Sequence, residues 1–138
     1  MYLKELAEPD ENSLRILINR CKVDNQSEAV KVGEQVIMDS YPIEVDDGLP
    51  IIQLDFESYV SYSIINESFT VMDEYEIFDG GVFRIYTKSR YLDFVKLGTI
   101  AEHINPNEHF VHYQIPCLNH IIDVISYEEP KIKEIKRG

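Results

Sequence analysis

Ile52, Leu54, Phe56, Val60, Tyr62 and Ile64 hold one parity along the chain, while Gln53, Asp55, Glu57, Ser61 and Ser63 occupy the other. A period of two is that of a β-strand, whose successive side chains leave on opposite faces; a helix would scatter these apolar groups around its axis. This stretch therefore belongs to a sheet with one buried face. The break at Ser58 keeps the parity, so one bent strand or two successive strands fit equally well.

The same alternation recurs at Leu14, Ile16 and Ile18 in the run to Val23, before the turn-forming Asp24-Asn25-Gln26. Phe110 to Ile115 and Ile121 to Tyr127 read as two closing strands around a turn near Pro116, with Pro130 ending the second. Asp79-Gly80-Gly81 between Glu74–Phe78 and Val82–Tyr86 predicts a hairpin, since glycine supplies the positive φ of tight loops. A three-residue loop would place Phe78 opposite Val82, Ile77 opposite Phe83 and Glu76 opposite Arg84.

Helical signals are few. Ser89 followed by Tyr91, Leu92, Phe94 and Val95, with Gly98 beyond, predicts a short amphipathic helix with a serine cap and a glycine stop. Ser27 to Met38 could be helical, although Gly33 interrupts it and Gln35–Met38 and Ile43–Val45 look extended. The fold expected is mainly β, an antiparallel sandwich or partly open barrel with one or two short helices, and α+β is the nearest competitor. With 138 residues and no linker or repeat, residues 1–130 read as a single globular domain and 131–138 as a short basic tail that frays.

Composition narrows function mainly by exclusion. Thirteen Lys and Arg against 25 Asp and Glu give a net charge of −12, and the basic tail leaves the rest of the chain more acidic still. Such a surface repels phosphate backbones and anionic lipid, so neither nucleic acid nor membrane is an expected partner. No leader or apolar span is legible, which reads as cytoplasmic, with Cys21 and Cys117 as reduced thiols.

His109, His112, Cys117 and His120 lie within twelve residues and superficially suggest a zinc site. Three positions along a strand put His109 and His112 on opposite faces, so no metal is expected. Cys117 with His112 or His120, steadied by Asn119 or Asp123, could compose a thiol nucleophile and its base, yet no nucleophile signature surrounds it. The carboxylates fit no calcium loop, no glycine-rich phosphate loop occurs, and no cofactor is implied.

Three stretches, Glu57–Phe69, Phe83–Val95 and His112–Ser126, resemble small uncharacterised proteins of Gram-positive bacteria. The resemblance implies a bacterial protein but brings no activity and no site residue with it. In size and acidity the chain is also similar to immunity proteins, which neutralise secreted toxins that are often basic nucleases.

Two readings follow. The first is a non-enzymatic binding protein of the immunity or antitoxin kind, whose acidic face meets a basic protein. Asp55, Glu57, Asp73, Glu74 and Glu76 would steer that partner, and Tyr59 and Tyr75 would anchor it. The second is a small-ligand binder or enzyme with a pocket in the β-structure near His112, Cys117 and His120. An open sheet edge could also pair two copies into a homodimer.

Overall fold

The computed structural model describes residues 1–21, 48–71 and 73–136, and the backbone of 27–32 and 35–40. Along the chain run β1 (Tyr2–Ala7), β2 (Leu14–Asn19), β3 (Ser27–Val32), β4 (Gln35–Ser40), β5 (Ile51–Phe56) and β6 (Ser61–Asn66). After a 3-10 turn at Glu67–Phe69 come β7 (Ile77–Asp79), β8 (Arg84–Lys88), α1 (Arg90–Gly98), α2 (Ala101–Ile104), β9 (Val111–Pro116), β10 (His120–Ser126) and β11 (Lys131–Ile135). The described strands make a four-stranded sheet in the order β1-β2-β5-β11, a five-stranded sheet in the order β6-β10-β9-β8-β7, and a ribbon of β3 with β4.

Alternation decides how the two large sheets meet. Leu14, Ile16 and Ile18 of β2 lie opposite Phe56, Leu54 and Ile52 of β5, making one apolar face. On the other sheet, Tyr113 and Ile115 of β9 lie opposite Val124 and Ile122 of β10. These two faces share one buried core, and the Phe56 and Tyr113 rings meet across it at 5.6 Å. The protein is thus an antiparallel sandwich, as expected of two sheets each apolar on one side.

The long alternating run proves to be two strands in different sheets. Its odd-numbered polar residues face away from the shared core in both strands, so Leu54 and Phe56 before the crossing at 57–60 and Tyr62 after it all serve that core. Val60 departs from the pattern and packs with Ile125, Leu92 and Val95 in a second, smaller core under α1. Its backbone N–H is tied to Ile125 O at 2.7 Å, which turns the chain there.

Three local expectations need correction. Ser27–Val32 is a strand paired with Gln35–Ser40 rather than part of a helix, in keeping with its β-branched Val30 and Val32, and Gln35–Met38 is extended as expected; Ile43–Val45 lies outside the described residues. The basic tail does not fray over Lys131–Ile135, which form β11 on the edge of β5. Ile132 sits opposite Leu54 and packs against the core, Lys131 sits opposite Asp55, and Glu134 takes Arg20 Nη1 at 3.0 Å. Edge lysines of this kind also discourage pairing with another chain.

The hairpin at Gly80 forms, but with a wider loop: Asp79 lies opposite Ile85 and Phe78 opposite Tyr86. Phe83 is the cause, because it is buried 97% in the shared core and so must leave the ladder. Gly80 has φ +99°, and a Cβ there would come within 2.2 Å of Phe83 O, so only glycine fits this loop. β1 is an element the alternation did not reveal, since its pairing with β2 shifts register between Leu3 and Glu5.

Burial at the core has a measurable acid–base consequence. It pushes the Tyr113 phenol up to about 12, and burial together with a hydrogen bond to Glu8 does the same to Tyr59. Tyr62, Tyr75, Tyr86 and Tyr91 are raised as well. An unfolded tyrosine ionises near pH 10, so the folded chain holds more phenol protons above that pH and loses stability as pH rises towards 12. Phenolate absorbance of the native protein should therefore lag that of the denatured protein, and the melting temperature should fall through the same window. Coincident titrations would contradict the buried phenols.

Candidate functional site

The outward face of the five-stranded sheet carries polar residues in register. Gln114 of β9 lies between Arg84 of β8 and Asp123 of β10, and His112 lies between Tyr86 and Ile125. α1 covers the His112 end of this face through Leu92 and Val95, which pack on Tyr86 and Ile125. The helix is positioned by Ser89, whose Oγ accepts the Leu92 N–H at 3.0 Å as its N-cap.

Behind that cap lies a fully bonded row. Ser89 Oγ is 2.7 Å from His112 Nδ1, and His112 Nε2 is 2.6 Å from Asp123 Oδ1. Ser89 is completely buried and His112 nearly so. Tyr86 stacks on the imidazole at 4.5 Å between centroids, and Tyr91 meets it edge-on at 5.4 Å. Gln114 Nε2 gives a second hydrogen bond to Asp123 Oδ1 at 3.0 Å, while Gln114 Oε1 accepts from the Tyr86 hydroxyl at 2.9 Å and from Arg84 Nη1 at 3.3 Å.

Ser, His and Asp in a hydrogen-bonded row are the side chains of a hydrolase triad, but the order in space is reversed. A triad serine must reach substrate. Here Ser89 is the sealed end, and the carboxylate of Asp123 is the end that borders open space. The row therefore holds Asp123 in place rather than arming a serine.

That open space is a cavity of about 520 Å³. His112, Gln114, Asp123, Arg84 and Tyr86 form its sheet side, Arg90 and Tyr91 of α1 one wall, and Ile65, Phe69, Val71, Ile121 and Leu118 an apolar part, with Glu67, Thr70 and Glu76 also on the lining. Asp123 is 95% buried, and among the described residues its Oδ2 meets no protein donor. Arg90 is bonded to Asp73, lies 4.9 Å over the Tyr75 ring, and gives its backbone N–H to Glu76 at 3.1 Å.

Of the residues singled out in the sequence, His112 and Cys117 line the cavity and His120 does not. Both ring nitrogens of His112 are occupied by Ser89 and Asp123, so it cannot act as a base towards Cys117. His109 is exposed, and the described residues contain no group of three or more His, Cys, Asp or Glu placed to hold a metal ion. Both cysteines are buried and free of disulfide.

The carboxylates and tyrosines do not gather on one face. Asp55 belongs to β5 of the four-stranded sheet and Glu57 follows that strand; Asp55 bonds Arg15 at 2.8 Å and Glu57 lies 4.0 Å from Lys131 Nζ. Burial opposes ionisation of Asp55, but hydrogen bonds from Arg15 and Gln53 outweigh it and hold the carboxyl below its ordinary range. Tyr59 gives its hydroxyl to Glu8 at 2.9 Å. Asp73, Tyr75 and Glu76 clasp α1 instead, Tyr75 through Asp93. Glu74 is exposed.

Asp123, Gln114 and Arg84 emerge as a set only from the register. One sign was legible: Asp123 is a lone charge inside the apolar Ile121–Ile125. A turn made of residues 117–120 would have set it opposite Gln114. Comparison with protein-family models, curated proteins and solved structures returns no match. No helix among the described residues is long and apolar enough to cross a membrane.

Proposed function

We propose that this protein binds a small molecule in the cavity on the outward face of its five-stranded sheet. The observation that carries the reading is Asp123, a buried carboxylate with Oδ1 held by two donors and Oδ2 turned to a largely apolar cavity. A few fixed polar groups in a largely apolar concavity are the usual make-up of a ligand site. The sealed Ser89 favours binding over covalent catalysis.

A fragment screen read by amide chemical shifts tests this directly. Hits should perturb Gln114, Asp123 and Tyr91 together, and Asp123→Asn should weaken those with a donor group by about tenfold or more. Fragments that perturb only the four-stranded sheet, or none that perturb the cavity, would end the proposal. A basic protein partner is the second reading, supported by the net charge of −12 and by Glu74, which is exposed and in no ion pair among the described residues.

A further inference from the structure

Five charged residues line the cavity, Glu67, Glu76, Arg84, Arg90 and Asp123, and two of opposite sign, Arg84 and Asp123, stand in a fixed relation on the sheet. Gln114 spans them, its oxygen taking Arg84 Nη1 at 3.3 Å and its nitrogen giving to Asp123 Oδ1 at 3.0 Å. The guanidinium and the carboxylate are thus separated by one carboxamide and a hydrogen bond at each of its ends. Each keeps bonding capacity on the cavity side: Asp123 through Oδ2, and Arg84, which also reaches the Tyr86 hydroxyl, through its remaining guanidinium N–H groups.

The second arginine at this site is not equivalent. Arg90 is already paired with Asp73, whereas Arg84 has no carboxylate partner among the described residues and rests with its guanidinium 4.5 Å over the Phe78 ring. The carboxylate comes from β10 and the guanidinium from β8, on the two sides of β9, so neither is the product of a local sequence cluster. Beside them the wall is apolar, built by Ile65, Ile121 and Phe69.

We infer that the occupant is a compact zwitterion with an apolar substituent, namely a free α-amino acid with an apolar side chain. Its ammonium meets Asp123 Oδ2, its carboxylate meets the free edge of Arg84, and its side chain lies along the apolar wall. A simple amine would leave Arg84 uncompensated, and a simple acid would face the Asp123 charge. Charge-assisted bonds at both ends make the two groups of the ligand interdependent. This inference rests on the cavity being a ligand site.

The test uses the full chain with three probes of nearly equal size: phenylalanine, phenethylamine, which lacks the carboxylate, and hydrocinnamate, which lacks the ammonium. Calorimetry measures affinity, and amide shifts locate binding. Phenylalanine is expected to bind about tenfold or more tightly than either of the others. Asp123→Asn should abolish its advantage over hydrocinnamate, and Arg84→Gln its advantage over phenethylamine, in variants whose amide spectra remain native.

If phenethylamine or hydrocinnamate binds in the cavity as well as phenylalanine does, the zwitterion inference is overturned while the cavity remains a ligand site. If no probe shifts the cavity amides, the inference also fails, and the fragment screen decides the fate of the cavity separately.

Discussion

Replacing His112 with alanine should remove about 3–5 kcal/mol of stability, because it deletes a packed ring and leaves two buried hydrogen-bonding groups short of a partner. The imidazole is 98% buried and serves Ser89 on one nitrogen and Asp123 on the other. Its loss strands a sealed hydroxyl, leaves Asp123 with only Gln114 on Oδ1, and opens a hole between Tyr86 and Tyr91. Because Asp123 borders the cavity, water can reach part of the damage, which favours the lower half of the range. Urea unfolding with an unchanged slope would report the loss cleanly. A cost under about 1 kcal/mol would mean that the row does not hold the site together.

The second large effect concerns the shared core. Phe56→Ala should cost about 3–5 kcal/mol, because the ring is 99% buried, lies opposite Leu14 within its sheet, and packs on Tyr113 of the other. Phe69 is the internal comparison, since it is 77% exposed at the cavity rim, and its replacement should change stability by about 0.5 kcal/mol or less. Denaturation of both variants would separate burial from mere aromatic content. Equal, small losses would contradict a sandwich held together at Phe56.

Where apolar alternation was strict, the strands could be read from the chain. β2, β5 and the start of β6 follow it, and their inner residues are those whose parity marked them as apolar, whereas β9 and β10 were legible as apolar runs either side of a turn. Ser89 likewise revealed the start of α1, because a helix cap is a local hydrogen bond written in one residue and its next three. Reading failed where a non-local demand overrode the pattern. Phe83 pulled the hairpin out of its simplest register, a bulge disguised β1, and Lys131–Ile135 read as a charged tail although Ile132 had a place opposite Leu54.

The site divides the same way. His112 and Cys117 could be singled out as polar or reactive residues near closing strands, and both do line the cavity. Their roles could not be read, because the partners of His112 lie 23 residues back at Ser89 and 11 ahead at Asp123. Charge counting likewise could not show that Asp55 and Asp73 are matched by Arg15 and Arg90.

By itself, then, the sequence determined that this chain makes antiparallel strands with one apolar face, one capped helix and an acidic surface, since each of these follows from neighbouring residues and elementary periodicity. Only the tertiary structure decided that the five-stranded sheet turns Asp123, Gln114 and Arg84 outward into one cavity with Ser89 and His112 behind them. That placement depends on strand order and register, and these are settled by how side chains distant in the chain share a core.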